Sequence, residues 1–244
     1  MRASVIIITK NQKELLRRSL PVLLRQDLKN EFEIIIVDSG STDGAREYIQ
    51  TLPVKLIRTK PESFNFASAF NVGAKEALGE FLIRLSGDVV PKKKDFISQM
   101  IKSFGDPRVG GAYGKYTLSG KRGYTYPFFW PAERFPSKVT RYSIKPNLIR
   151  MLFDKRHMGD VLGFAGGCCA VKRSTWEKRH FNERLFGAED AEYALYLHLE
   201  GLDIVYNPKA EVVHEHKITD LRRDTLSEIK WRVALVWECT KLFL

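Results

Sequence analysis

Long apolar runs are missing from this sequence of 244 residues. No stretch reaches the about 18 uncharged apolar residues that a membrane-spanning helix needs. The first residues, "MRASVIIITK", hold an apolar stretch too short for a signal peptide, with no small-residue cleavage site behind it. The expectation is a protein made and kept in the cytoplasm. Cysteine is scarce as well: Cys168 and Cys169 are adjacent, so bridging them would strain the backbone, and Cys239 is left over. No Cys/His spacing matches a zinc site, so the three read as small buried thiols of a reducing compartment. Low-complexity tracts and internal repeats are absent too. So are a Walker loop and a G-x-G-x-x-G, which argues against P-loop enzymes and ordinary dinucleotide dehydrogenases.

What is present begins with charge. The formal net charge of +11 implies an anionic partner: nucleic acid, an acidic membrane surface, or phosphorylated small molecules. The alternative is a generally basic, soluble surface.

Short β-branched runs alternate with helical patterns. "ASVIIIT" (3–9), "FEIIIVD" (32–38), "VKLIRT" (54–59) and "EFLIRLS" (80–86) read as buried strands. Between them, residues 11–26, "AREYIQTL" and "FASAFNVGAKEAL" (66–78) read as helices, the first with Asn11 as a candidate N-cap. Strands apolar almost throughout, alternating with helices, predict a doubly wound, mostly parallel α/β sheet covered on both faces. Ligands bind such sheets at the carboxyl ends of the strands. Those ends carry Thr9-Lys10-Asn11, Asp38-Ser39-Gly40-Ser41 and Ser86-Gly87-Asp88.

Between Lys121 and Arg156, prolines, aromatics and cations mix without regular period, which predicts an irregular excursion with a helix near its end. Order returns at Val161: "FAGGCCAVKR" reads as a strand, residues 189–202 as a helix with acids at its start, "DIVYN" and "EVVHEH" as two short strands. The last residues, "LSEIKWRVALVWECTKLFL", suggest a helix with a stripe of Leu226, Ile229, Val233, Val236 and Trp237. Trp231, Leu235, Leu242 and Phe243 spread apolarity to its other faces, which suits burial on more than one side.

"SVIIITKN", "EIIIVDSGSTDG", "FNVGAKEALGEFLIRLSGDVVP", "GGCCAVKRSTW" and "FGAEDAEYALYLHLEGLDIVYNPKAEVVHEH" follow one another from Ala3 to His216. In order and interval they resemble the family 2 glycosyltransferases, which have the GT-A fold. The "F-N-F", "N-x-G-A" and "L-x-x-D-x-x-P" patterns look most like its rhamnosyltransferase-like branch. The resemblance implies one GT-A domain over 1–220: a nucleotide-sugar-binding half (1–117), the basic and aromatic excursion (118–160) and a smaller acceptor-side half (161–220). Residues 221–244 would add an amphipathic C-terminal helix.

The resemblance further implies an inverting, metal-dependent enzyme moving a sugar from a UDP- or dTDP-sugar to an acceptor hydroxyl. That chemistry needs a nucleotide grip, a cation on the leaving diphosphate and a base for the acceptor. The implied grip is Thr9, Lys10, Asn11, Asp38, Ser39, Ser41, Asn71, Ser86 and Gly87, with Asp38 accepting the base's imide N–H. Lys10 stands where the family usually has an aromatic, so its stem would cover the ring. Asp190 would be the general base, Glu189 its neighbour that positions the acceptor or tunes its pKa, and Gly166 and Gly167 the acceptor-side backbone. Asp88 and His214 would hold Mn2+ or Mg2+, with substrate phosphates and water completing six ligands. His216, Lys217, Arg222 and Arg223 would close on the diphosphate.

The resemblance implies single sugar additions in glycan, glycolipid or cell-surface polysaccharide biosynthesis, since the Q-x-x-R-W motif of processive synthases is absent. Partners would be the donor and a glycan or lipid-linked acceptor, with no nucleic acid. The C-terminal helix could meet the inner face of an anionic membrane, as in a peripheral protein, or a second subunit. Two alternatives remain open at this point: a non-catalytic nucleotide-sugar or carbohydrate binding protein, and a basic nucleic-acid-binding module.

Overall fold

The apolar runs become buried strands in the computed structural model, which describes residues 1–61, 64–118, 136–215 and 234–243. Every residue of β1 (Ala3–Thr9) is buried, as are the last five of β2 (Phe32–Asp38). With β3 (Lys55–Arg58) and β4 (Phe81–Ser86) they form a parallel layer in the order β3-β2-β1-β4.

Alternation along β1 divides the core. Val5 and Ile7 pack with Leu16 and Leu20 of α1 (Lys13–Leu23) and Ile49 of α2 (Ala45–Gln50) on one face. Ile6 and Ile8 pack with Ala67, Phe70 and Ala74 of α3 (Phe66–Lys75) on the other. Covering both faces of a parallel sheet is what allows its strands to be apolar throughout.

The sheet continues as β4-β8-β6-β9-β5, with β7 also on β9. In chain order these elements are β5 (Val89–Pro91), α4 (Phe96–Lys102), β6 (Val109–Leu118), β7 (Thr140–Tyr142), α5 (Leu148–Phe153), α6 (Lys155–Val161), β8 (Cys168–Lys172), α7 (Arg173–Lys178), α8 (Glu189–Leu199) and β9 (Asp203–His214). β8 runs antiparallel to both β4 and β6. Its Cys168 and Cys169 are free and buried, and they enter the cores on opposite faces.

The structure revises several sequence readings. Asn11 is not an N-cap: it has φ +54° and α1 starts two residues later. "DIVYN" and "EVVHEH" are one strand to His214, β9, whose register against β6 shifts between Gly114–Asn207 and Lys115–Glu211. β8 starts at Cys168, after the glycine pair rather than before it. In the described part of the excursion there are two short helices, α5 and α6, not one.

At the C-terminal side, residues 234–241 are helical. Leu235 and Cys239, one turn apart, are the buried pair, while Val236 and Trp237 are exposed, so the inward face differs from the expected stripe. Leu226, Ile229 and Val233 lie outside the described residues. Leu235 and Cys239 join Met151, Val161, Leu162, Leu185 and Leu195 in a third, smaller core.

Candidate active site

Register brings three strand ends together. Thr9 pairs with Asp38 across β1–β2, and Ile8 pairs with Ser86 across β1–β4. The loops after these strands are knitted to one another. Asn11 donates its backbone N–H to Ser41 Oγ (2.8 Å) and accepts the Thr42 N–H on Oδ1 (2.7 Å). Ser39 donates its N–H to the Thr9 carbonyl, and its hydroxyl meets that of Thr59 at 3.2 Å. Thr9 donates to Gln12 Oε1 (3.0 Å). A Cβ on Gly87 would stand 2.1 Å from Gln12 Oε1 and 2.8 Å from Thr9 Oγ1, so a side chain there would displace the Thr9–Gln12 hydrogen bond. Lys10 projects into solvent beside them.

Two members of the expected nucleotide grip make internal hydrogen bonds. The Asp38 side chain is only 1% exposed. Its oxygens accept the Gly40 and Ser41 N–H groups and Arg46 Nε at 2.9 Å. These contacts make it the keystone of the turn. Asn71, 1% exposed, donates to the Phe181 carbonyl and Glu183 Oε1 and accepts from Trp176 Nε1 and the Phe181 N–H. All four of its hydrogen-bonding positions are spent. It fastens α3 to α7 and the chain beyond.

The Ser86–Asp88 turn is the hinge between the two halves of the site. The Gly87 N–H bonds to the Ile8 carbonyl on one side, and the Ser86 N–H bonds to the Gly167 carbonyl (3.0 Å) on the other. Asp88 Oδ2 meets His214 Nε2 at 3.2 Å, and pairing of β5 with β9 sets Val89 against His214. The Tyr116 ring lies edge-on to the His214 ring, centroids 5.3 Å apart, and its hydroxyl covers Gly167, where a Cβ would meet it at 2.6 Å. Burial, with the neighbouring carboxylates of Asp190 and Asp88, holds the Tyr116 phenol well above its usual range, so it stays a donor.

Beyond Gly167, Gly166 donates its N–H to Asp190 Oδ2 (2.7 Å) and Ala191 donates to Asp190 Oδ1 (2.8 Å). Ala188, which caps α8, sits at φ +59°, a left-handed conformation costing about 1–2 kcal/mol in a non-glycine residue. Glu189 is 3% exposed, and its Oε1 lies 2.5 Å from Arg84 Nη2 in a buried ion pair.

Packing around Asp190 and the charge of Glu189 push its carboxyl up to about 6, against the opposing pull of Arg84 and the two N–H groups. Arg84 stacks beside the rings of Phe66, Phe70 and Phe181. Sequence reading passed over it, although a cation inside the apolar run "FLIRLS" was the available signal. Tyr116 and Arg46 gave no such signal. His216, Lys217, Arg222 and Arg223 lie outside the described residues.

Among the described residues, no group of three or more His, Cys, Asp or Glu side chains could enclose a metal. Asp88 and His214 together offer one oxygen and one nitrogen. That donor set suits Mn2+ and leaves most positions to be filled by a bound diphosphate and water.

The sequence profile described as "Glycosyl transferase family 2" matches residues 4–179. Among curated proteins, "O-antigen biosynthesis protein RfbC" of Myxococcus xanthus is 23% identical over 93% of this chain and 18% of its own length. "O-antigen chain rhamnosyltransferase WbaN" of Salmonella anatum is 26% identical over 77% of this chain and 58% of its own. Among solved structures, mannosyltransferase PcManGT from Pyrobaculum calidifontis, in complex with GDP-Man and Mn2+, superposes with a TM-score of 0.68. It is 20% identical, over 96% of this chain and 62% of its own. Staphylococcus aureus TarS 1–349 with UDP-GlcNAc gives 0.68 at 20% identity, over 90% and 60%. The chain thus spans less than two thirds of each of these relatives.

Proposed function

The chain belongs to glycosyl transferase family 2, and from that premise we propose that it moves a sugar from a UDP- or dTDP-sugar to an acceptor hydroxyl in cell-surface polysaccharide or glycolipid biosynthesis. The acceptor oxygen attacks the anomeric carbon as the bond to the diphosphate breaks on the opposite side, so configuration inverts. The acceptor proton passes to Asp190, and the nucleoside diphosphate leaves. Thr9, Lys10, Asn11, Ser41 and the Ser86–Gly87 backbone line the donor side, with Asp38 and Ser39 shaping it from beneath. A divalent cation, Mn2+ or Mg2+, between Asp88, His214 and the donor phosphates would neutralise the leaving charge. The cations at 217, 222 and 223 and His216 stay part of this proposal as groups for the diphosphate. So do the one-domain division at 1–220 and a lipid-linked acceptor at an anionic membrane. No described helix is long and apolar enough to cross a membrane.

One observation carries the reading. Asp190 is held by the Gly166 N–H, next to the turn that bears Asp88, with a carboxyl that titrates near 6. A base must be ionised to take a proton and best titrates near the working pH. Transfer should therefore rise as pH increases through about 6 and level off above it. Asp190→Asn should lower the rate by about 10²–10⁴-fold while calorimetry still finds the nucleotide sugar bound. Normal transfer by that variant would remove Asp190 from the role.

A further inference from the structure

α5 is fixed to the protein by one side. Met151 is buried in the small core with Val161 and Leu195, while Ile149, Leu152 and Phe153 are 71%, 64% and 85% exposed. The spacing 149, 152, 153 places these three on one helix face. Single exposed apolar residues are ordinary, but three adjacent ones on a single short helix mark an interaction surface.

The surface has a charge. Lys145, Arg150, Lys155 and Arg156 are all exposed around it, and Lys145, Ile149, Arg150 and Phe153 line a groove of about 420 Å³ there. The acids of the segment are Asp154, paired to Arg150 at 3.0 Å, and Asp160. A second copy of the chain is a poor occupant: a two-fold contact would set these cations against themselves on a molecule of net charge +11. Apolar side chains ringed by Lys and Arg match the boundary between headgroups and acyl chains of an anionic bilayer.

We propose that the Ile149–Leu152–Phe153 face of α5, with its four cations, docks the protein on an anionic phospholipid surface. Ala188 and Ala191, on either side of Glu189 and Asp190, pack against the same small core as Met151. Docking through α5 therefore holds the start of α8 close to the lipid, where a lipid-linked hydroxyl would arrive. That purpose rests on the sugar-transfer reading; the docking itself does not.

Flotation of the full chain with phosphatidylglycerol–phosphatidylcholine vesicles, and with phosphatidylcholine alone, tests the proposal. The wild type should float with the anionic vesicles at low salt and stay behind with the neutral ones. Ile149→Ser/Leu152→Ser/Phe153→Ser should cut recovery by about tenfold or more, and Lys145→Glu/Arg156→Glu should do the same. Circular dichroism should show both variants folded, since every altered side chain is exposed. Equal recovery of the triple variant would overturn the proposal, as would failure of the wild type to float. Light scattering that shows a dimer lost in the triple variant, with flotation unchanged, would assign the face to a second copy. No nucleotide sugar enters these assays, so a negative result leaves the transferase reading standing, and inactivity of the enzyme leaves a positive one intact.

Discussion

At the scale of single residues, Arg84 has the largest consequences. It is a charge in the middle of a buried strand, which is tolerable only because Glu189 meets it and three aromatic rings surround it. Removing one partner of such a pair typically costs about 3–5 kcal/mol, because the other charge is left buried alone. Arg84→Met should lose stability of this order in urea unfolding. The two partners also act on Asp190 with opposite signs: the Glu189 charge raises its pKa and Arg84 lowers it. The acid limb of the pH–rate profile should therefore move to higher pH in Arg84→Met and to lower pH in Glu189→Gln. Both limbs staying where the wild type has them would mean that the pair only supports the fold.

At the scale of elements, the approach of the loop before β8 to the start of α8 sets where the Asp190 carboxylate stands. A Cβ on Gly166 would lie 2.8 Å from Asp190 Oδ2 and 3.0 Å from its Cγ. Gly166→Ala should displace the carboxylate, and a shift of about 1 Å can cost about 10²-fold in rate. Steady-state kinetics should show the loss in kcat, with donor affinity unchanged. The sequence made part of this arrangement legible. β1 and β2 were visible because strands covered on both faces are apolar at every position. The acids of α8 were visible because they stand directly before a helical pattern. Less legible was β9, whose Pro208, Lys209 and Ala210 sit in the register shift and break the apolar pattern. The strands β5 and β6 and helix α4 were not read at all: β5 has three residues, and β6 carries three glycines among its ten. The internal bonds of Asp38 stay within its own turn and the start of α2, whereas those of Asn71 reach Trp176, Phe181 and Glu183, far along the chain, which no local pattern encodes.

At the scale of the whole molecule, one sheet runs through both halves. β8 joins β4 on one side and β6 on the other, so the parallel layer and the strands beyond it share a continuous hydrogen-bonded ladder. Two regions joined in this way have no seam at which to come apart. Unfolding in urea should be a single transition, with far-ultraviolet circular dichroism and tryptophan fluorescence tracing one curve. Two separate midpoints would show that residues 1–117 and 161–220 fold as independent units.

The buried thiols give this fold a built-in clock. Burial pushes Cys168 and Cys239 up to about 12 and Cys169 higher still, so almost none of the reactive thiolate exists at neutral pH. Cys168 and Cys169 occupy the strand that joins the two halves of the sheet, whereas Cys239 lies in the helix at residues 234–241. A thiol reagent therefore measures how often each region opens. Mass spectrometry of pulse-labelled protein should find Cys239 modified first, and the adjacent pair only as the whole sheet is lost. A site that needs no added probe would then report, residue by residue, the order in which the molecule comes apart.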